Sequence, residues 1–261
     1  DMPTGMDARI YADIRAGIAK ICAEFPDSYW RALDADRAYP EAFVTALTKA
    51  GYLGCLIPET YGGSGLDLTS AAVILEEIHK NGANAAACHA QMYTMGTLLR
   101  HGSDEQKQTY LPQIADGSLR LQAFGVTEPT SGTDTLALQT TARRDGDRYV
   151  INGQKIWTST AKQADMIFCL VRTEPDAPKH RGISYLIFSM DTPGIEVRPL
   201  KTMTGHAEFN ETFFTNVRVP VDQIVGARGQ GWLISCQLMS PGGTTQLERL
   251  PVVGATPRRR P

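Results

Sequence analysis

Residues 125–137, Gly-Val-Thr-Glu-Pro-Thr-Ser-Gly-Thr-Asp-Thr-Leu-Ala, are the part of the chain best suited to bind a ligand. They place hydroxyl side chains, two carboxylates and a glycine around one proline. Such a segment can present backbone N–H groups and short hydroxyls to a flat ligand with polar edges, because no bulky side chain stands in the way. The composition therefore indicates a cofactor site. An ordinary surface loop is the alternative, since the same residue types are typical of loops.

The two carboxylates of this segment, Glu128 and Asp134, stand six residues apart. They raise the question of a paired-carboxylate mechanism, in which one acid and one base act together. A structural role is simpler, because a carboxylate on a loop can accept hydrogen bonds from backbone N–H groups and hold the turn. We therefore expect structural roles for both.

The chain before residue 120 has the hydrophobic periodicity of α-helices. Ser103 followed by Gln106 has the form of a capping box, which marks the start of a helix. A glycine run at 62–65 resembles a phosphate-binding loop, but without a preceding strand or a lysine it is better interpreted as a flexible loop. Two apolar stripes predict core faces, namely Ile10, Ile14, Ile18 and Ile21 on one helix and Ala71, Ile74, Leu75 and Ile78 on another.

After residue 120 the pattern changes to short β-strands. Asp145-Gly146 and Asn152-Gly153 are strong hairpin signals, because their backbones adopt the turns that join antiparallel strands. Several strands at regular spacing predict a small barrel or sandwich. The predicted strands are 138–143, 148–151, 155–158, 166–172, 183–189, 195–197 and 212–217.

A last helix is predicted beyond the strands. An apolar stretch at 232–239 predicts its start, and Pro-Gly-Gly at 241–243 ends it. The arginine run at 258–260 is interpreted as a solvated tail rather than an RNA contact. The chain thus divides into a helical domain over 1–119, a β-domain over 120–225 and a third region over 226–261.

The overall composition excludes several classes of protein. With 261 residues and a formal net charge of −2, the chain is long enough for two domains and has no charge excess that favours nucleic acid or an anionic membrane. No apolar run is long enough to span a bilayer and no signal peptide is recognisable, so we expect a soluble, cytoplasmic protein. The five cysteines are scattered and form no CxxC pair, which favours buried thiols over disulfides or a metal site.

Four sequence motifs, taken in the order in which they occur along the chain, resemble those of the acyl-CoA dehydrogenase family. Residues 126–134 resemble its first signature, an aliphatic residue with Thr-Glu followed by Gly-Ser/Thr-Asp. Residues 57–63, 152–157 and 216–220 resemble its N-terminal loop, the strand after the signature and the exit from its β-domain. The resemblance implies an α+β fold: an N-terminal all-α helical domain followed by a β-barrel middle domain, with only the start of a C-terminal helical domain.

The resemblance implies a flavoenzyme that binds FAD and oxidises an acyl-CoA thioester between its α and β carbons. In that reaction a base removes the α-proton while the β-hydrogen leaves as hydride to the flavin, so the acyl chain must be held against the ring. The resemblance also implies a homo-oligomer, a place in fatty acid and lipid metabolism, and either a flavoprotein or oxygen as electron acceptor.

Five residues of the loop region are assigned to the cofactor by the resemblance. Phe124, Val126 and Thr127 would lie along the isoalloxazine, with the Thr127 hydroxyl and nearby N–H groups on its pyrimidine edge. Gly132 and Thr133 would approach the pyrophosphate, where the missing Cβ permits close contact and the hydroxyl can donate. Thr133 is also assigned to the substrate, because relatives use this position to touch the CoA moiety.

The strand after the loop adds two further residues to the cofactor site. Trp157 would pack against the flavin, with a strand aromatic that fills the barrel as the alternative, and Ser159 would reach the ring in place of the more usual threonine. His206 either lines the route to the site or bonds to the barrel edge. Gln91 and Met92 either face the acyl chain or belong to the core.

The resemblance identifies no catalytic residue in this sequence. Most relatives place a catalytic glutamate in a C-terminal four-helix domain, and others place it on the first helix of that domain, at a position that falls on Gly242 here. Glu248 lies out of register and is interpreted as an exposed glutamate. Two hypotheses remain: an acyl-CoA dehydrogenase that is truncated or altered after about residue 240, and a non-catalytic FAD- or acyl-CoA-binding subunit that needs a partner chain. Oxygen-using relatives, acyl-CoA oxidases and flavin monooxygenases, also stay open.

Overall fold

The computed structural model describes residues 5–239, in which helices precede a β-sheet and a last helix packs back against both. This order confirms the predicted α+β class. The helices are α1 Gly5–Ala23, α2 Asp27–Asp36, α3 Glu41–Lys49, α4 Leu68–Lys80, α5 Ala86–His101, α6 Asp104–Asp116 and α7 Gly231–Met239. The strands are β1 Leu121–Gly125, β2 Thr141–Asp145, β3 Arg148–Lys155, β4 Met166–Arg172, β5 Ile183–Ser189, β6 Ile195–Leu200 and β7 Phe209–Pro220.

The helical domain forms around the two predicted apolar stripes. Ile14 and Ile18 of α1 and Ile74 and Ile78 of α4 are buried in one core, and these two helices pack against each other. Burial of such side chains contributes about 1.5–3 kcal/mol each. The stripes therefore decide which face of each helix points inward.

The glycine run after α3 closes on itself. The N–H groups of Gly62, Gly63 and Gly65 donate to carbonyls of residues 57–59 at 2.8–3.2 Å. A phosphate would need these donors, and the turn already uses them. The structure thus favours the loop interpretation over a phosphate site.

The sheet curls into an open barrel. β4 pairs in parallel with β1 and antiparallel with β5, while β3 pairs antiparallel with β2 and β7, and β7 with β6. A single parallel contact between Thr141 and Arg172 joins the two halves. Phe188 of β5 and Phe214 of β7 lie on non-adjacent strands, yet their rings meet at 5.9 Å across the interior. A second hydrophobic core fills this interior.

One of the two predicted hairpins is present. Asp145 pairs with Arg148 at the end of the β2–β3 ladder, with Gly146 at a φ of 62° in the turn. This left-handed backbone suits glycine and a tight connection between antiparallel strands.

The second predicted hairpin, at Asn152-Gly153, is wrong, because β3 continues through both residues to Lys155. The irregularity lies on β7, where an extra residue forms a bulge and Asn216 has a φ of 50°. The Asn152 amide holds this bulge by accepting the Asn216 N–H at 2.8 Å. Gly153 is needed because a Cβ there would lie 2.5 Å from the Thr140 Oγ1. Both residue types therefore serve long-range contacts rather than a turn.

Helix α6 joins the helical domain to the barrel. The predicted capping box is present: the Ser103 hydroxyl accepts the Gln106 N–H at 3.1 Å, and the Gln106 Oε1 accepts the Ser103 N–H at 3.0 Å. The same Gln106 side chain donates to the Asp222 and Ile224 carbonyls at 3.0 and 2.8 Å. One buried amide thus starts the helix and fixes the chain that leaves the barrel.

Two further features of the described chain bear on the predictions. The helices of residues 5–239 include none long and apolar enough to cross a membrane. The five cysteines are free thiols, and four of them are buried. Burial raises the pKa of the Cys169 thiol, inside the barrel, to about 11.

Candidate functional site

The loop at 125–137 leaves β1 in an ordered turn. The Glu128 N–H donates to the Ser131 carbonyl at 3.2 Å, and the Ser131 N–H donates to the Glu128 carbonyl at 3.1 Å. Pro129 lies exposed between them and favours this turn because its φ is fixed. The loop therefore has one defined path over the barrel.

A buried ion pair holds this turn from below. The Glu128 Oε2 accepts the Gln139 N–H at 2.6 Å, and its Oε1 accepts the Thr140 N–H and the Lys155 Nζ, each at 2.9 Å. The side chain of Glu128 is 4% exposed and that of Lys155 is fully buried. Removal from water makes each charge dependent on the other.

The environment of Glu128 keeps it ionised. Burial alone would raise the pKa of this carboxyl, but the charge of Lys155 and the hydrogen bonds from Thr140 and Gln139 hold it below its usual range. The predicted structural role of Glu128 is confirmed. The same prediction is wrong for Asp134, because its side chain is exposed and makes no hydrogen bond or ion pair within the described chain.

Two polar groups of Thr127 remain free. The Val126 carbonyl accepts from the Lys155 Nζ at 3.2 Å, and the Thr127 carbonyl accepts the Ile156 N–H at 2.8 Å. The N–H and the hydroxyl of Thr127 have no partner among residues 5–239. A free donor beside a free hydroxyl matches the polar edge of a planar ligand.

A second wall stands beside this loop, because the bond from Ile156 to Thr127 places the end of β3 next to it. Trp157 follows with a φ of 60° and 53% of its surface exposed, and its ring meets the edge of Phe209 at 5.7 Å. A left-handed backbone at so bulky a residue is strained, and such strain is typical of functional sites. Ser159 is also exposed, while Thr158 between them is buried.

The outer half of the loop is open to a ligand. A Cβ added at Gly132 would meet no atom of the chain within 4 Å, so the fold itself does not require glycine there. Thr133 is exposed beside it. The Ser131 Oγ is buried and lacks a partner in the part of the chain that the structure describes. An absent Cβ and an unpaired hydroxyl fit the close approach of a polar ligand.

Phe124 is half-buried, as are Val126 and Thr127. Its ring meets Tyr93 of α5 at 6.1 Å and Tyr185 of β5 at 5.8 Å, so it packs between helix and barrel. On the same helix, Met92 belongs to the core, whereas Gln91 is buried with its Oε1 unpaired within the described residues. Tyr93 was not predicted from the sequence, because a half-buried aromatic on an apolar helix gives no signal of its partner.

His206 contacts helix α2 with its side chain. Its Nε2 lies 3.4 Å from the Asp34 Oδ1 of α2, and its carbonyl accepts the Thr202 N–H at 2.8 Å. The imidazole thus contacts a helix rather than the barrel edge, and its place on the route to the site stays a prediction.

An open cavity of about 460 Å³ borders the end of the loop. Arg172 lines it and donates to the Leu136 and Leu138 carbonyls at 2.7 and 3.2 Å, which holds the loop in place. Lys179 also lines it, and its ammonium group has no partner in residues 5–239. This cavity is not predictable from local sequence patterns, because its two sides come from distant segments.

No metal site is found among the described residues, and none of them is assigned as a catalytic base. Residues 5–239 contain no group of three or more His, Cys, Asp or Glu side chains placed to hold a metal ion. Glu248 and the arginine run at 258–260 lie outside the described residues. The site is thus two polar and aromatic walls without an assigned base.

Family models match most of the chain. Residues 11–118 match the model of the acyl-CoA dehydrogenase N-terminal domain, and residues 123–217 match the model of the middle domain. Two curated relatives from Mycobacterium tuberculosis are similar: the acyl-CoA dehydrogenase IpdE1, 38% identical over 80% of this chain, and the acyl-CoA dehydrogenase FadE29, 40% identical over 79%. The chain spans about half the length of these relatives, 54% of each.

Solved structures of this kind superpose well. The steroid ACAD Tcur3481-Tcur3483 has a TM-score of 0.78 and 35% identity, over 95% of this chain and 62% of its own. A glutaryl-coenzyme A dehydrogenase in complex with glutaryl-CoA has a TM-score of 0.81 and 27% identity, over 91% of this chain and 61% of its own.

Proposed function

Because the chain belongs to the acyl-CoA dehydrogenase family, we propose that it forms the flavin-binding part of an FAD-dependent oxidoreductase that dehydrogenates an acyl-CoA thioester. The two hydrogen atoms leave from the α and β carbons of the acyl group. When bound, FAD supplies the hydride acceptor that side chains lack. The chain supplies binding and orientation.

The observation that carries this proposal is the pair of walls at Thr127 and Trp157. The first offers a free N–H and a free hydroxyl, and the second offers an exposed indole held by Phe209. Together they suit a ring system that is apolar on its face and polar on its edge. We assign Val126, Thr127, Trp157 and Ser159 to the flavin ring, with Phe124 behind it.

The outer loop suits the phosphates of the cofactor and the substrate. We assign Gly132 and Thr133 to the pyrophosphate of FAD, since both are exposed and no Cβ stands in the way at Gly132. Thr133 also faces the nucleotide part of the acyl-CoA in this proposal. Lys179, at the cavity beyond the loop, supplies a cation for its phosphates.

The α-proton needs a base, and we assign none among the described residues. Glu128 is bound to two N–H groups and an ammonium group, so its oxygens are not available to a substrate. We propose that the base comes from sequence outside residues 5–239 or from a partner chain. The electron acceptor is a flavoprotein or oxygen.

A partner-dependent subunit is the second candidate function. Two similar solved structures carry the names of two chains, Tcur3481-Tcur3483 and the ChsE4-ChsE5 complex from Mycobacterium tuberculosis. This chain would then bind FAD or acyl-CoA only beside a second protein, which supplies the missing groups.

Spectroscopy of the purified chain separates these possibilities. The chain is mixed with FAD, freed of excess cofactor and titrated anaerobically with a panel of straight-chain, branched and ring-bearing acyl-CoA esters. Flavin absorption in the visible that stays with the protein after excess FAD is removed supports the cofactor assignment. Loss of that absorption on addition of one class of ester identifies the substrate. Failure to retain FAD, both alone and with a co-expressed partner chain, rejects the proposal.

A further inference from the structure

Lys155 lies beneath the loop, on the side opposite to the predicted flavin site. It is the last residue of β3 and fully buried, and its ammonium group bonds to the Val126 carbonyl and to Glu128. Lysine is almost never fully buried without a partner, since its charge is strongly hydrated in water. Its position under the loop therefore calls for an explanation beyond packing.

The geometry of one peptide unit connects this charge to the ligand side of the loop. The Val126 carbonyl and the Thr127 N–H belong to the same peptide unit, and the described chain contains no cis peptide bonds. In a trans peptide the C=O and N–H bonds point in opposite directions. Because the carbonyl points at Lys155, the Thr127 N–H points away from it, and that N–H has no partner within residues 5–239.

A cation that bonds to the Val126 carbonyl strengthens the Thr127 N–H, at the other end of the same peptide unit, as a hydrogen-bond donor. A charge-assisted hydrogen bond draws electron density from the peptide, and hydrogen bonds in series polarise one another, most strongly where water is excluded. Three groups face Lys155 from the packed elements: the Val126 carbonyl, the Glu128 carboxylate and, from β4, the neutral thiol of Cys169 near Gly125. Glu128 prevents the ammonium group from being buried unpaired.

We propose that Lys155 is a positioning residue which directs and strengthens the Thr127 N–H as a donor to the electron-rich edge of bound flavin. This inference rests on the proposed function. A reduced flavin carries more negative charge than an oxidised one, so such a donor stabilises the reduced form more. Lys155 does not touch the cofactor. It acts through the peptide unit between residues 126 and 127.

The test compares two variants with opposite expected signs in the FAD-loaded full chain. In Lys155→Met/Glu128→Gln both charges are lost, and we expect the equilibrium constant for flavin reduction to fall about tenfold, a decrease of about 30 mV for a two-electron couple. In Glu128→Gln alone the cation stays without its counter-charge, and the constant rises. Both are measured by anaerobic equilibration with a reference dye.

A matched control addresses the loss of an ion pair as such. Arg15→Met/Glu77→Gln removes a cation and a buried carboxylate between α1 and α4, with no link to the loop. Its reduction potential equals that of the wild type if the inference holds. The dissociation constants of oxidised and reduced FAD give a second readout, because the loop variant with both charges lost weakens the reduced form about tenfold more than the oxidised form.

Two results overturn the inference. If wild type and both loop variants bind FAD with reduction constants within about twofold of each other, Lys155 is structural only. The same holds if both loop variants shift in the same direction. Failure of the wild type to bind FAD instead overturns the proposed function, and this inference with it, before any variant is compared.

Discussion

Two carboxylates are buried in the part of the chain that the structure describes, and they are paired in different ways. Glu77 on α4 bonds to Arg15 at 3.0 Å, to Lys80 at 3.6 Å and to Asn81 at 3.1 Å, and the side chains of Arg15 and Lys80 are 37% and 68% exposed. Glu128 has one cation, Lys155, and that cation is sealed from water.

The two networks therefore have different roles: one holds two helices together, and the other fixes the path of a loop. The Glu77 network joins α1 to α4 and stays in exchange with solvent, so it can lose one partner and keep others. The Glu128 pair has no such reserve, because both charges depend on each other in a dry interior. It fixes the path of a loop in which the Thr127 N–H has no partner within residues 5–239.

The largest expected effect follows from breaking the sealed pair. Lys155→Met leaves Glu128 buried without a cation, and we expect the free energy of unfolding to fall by about 3–5 kcal/mol. Arg15→Met leaves Glu77 with Lys80 and Asn81, so the expected loss is about 1 kcal/mol or less. Urea denaturation followed by far-UV circular dichroism measures both. Equal losses would show that sealing does not distinguish the pairs.

Two glycines test the same distinction between support and ligand contact. Gly153→Ala should lower the free energy of unfolding by about 2–3 kcal/mol, because its φ is 150° and the added methyl meets Thr140. Gly132→Ala serves as the control and should change it by less than about 0.5 kcal/mol. FAD affinity should fall for Gly132→Ala instead. A stable Gly153→Ala protein would contradict the need for glycine on β3.

The loss of stability at acid pH should depend on both Glu77 and Glu128. Each has a pKa below its usual range in the folded chain, Glu77 because of Arg15, and Glu128 because Lys155 and N–H donors outweigh burial. Their stabilisation is therefore present above the unfolded value of about 4.3 and is lost as the pH falls toward the folded pKa. Glu128→Gln and Glu77→Gln should each flatten the decrease in unfolding free energy below about pH 4.3. An unchanged loss of stability at acid pH in either variant would reject that assignment.

Salt should produce the smallest effect and still separate the two pairs. Raising NaCl to about 1 M shortens the Debye length to about 3 Å and screens the half-exposed Arg15–Glu77 contact. The Glu128–Lys155 pair is buried, so salt does not screen it. The stability difference between wild type and Arg15→Met should therefore shrink by a few tenths of a kcal/mol. The difference between wild type and Lys155→Met should not change. Parallel urea titrations at two salt concentrations decide this.

Local patterns were sufficient for much of the fold. The strands over 166–172 and 183–189 have the predicted limits, because continuous apolar runs between turn residues leave little choice of register. The capping box at Ser103 was predictable for the same reason, since both partners lie within one turn. β1 was not predicted, because five residues of mixed character acquire their role only beside β4.

The errors share a cause in long-range contacts. Asn152-Gly153 has the local signature of a turn, but Thr140 and the bulge at Asn216 hold it extended. The burial of Lys155 was not predictable, because lysine is polar and the burial pattern of β3 does not alternate regularly. The placement of Val126, Thr127, Gly132 and the other assigned residues around a flavin stays a prediction that the experiments above test.

The parallel pairing of β1 with β4 has a consequence for the nascent chain. On the ribosome β1 emerges before β2, β3 and β4, so its partner does not yet exist. During that interval α5 is its available neighbour, through the bond from the Thr94 hydroxyl to the Leu121 carbonyl. An unpaired strand edge readily recruits other chains. Contact with α5 is therefore expected to cover part of β1 until β4 has been made.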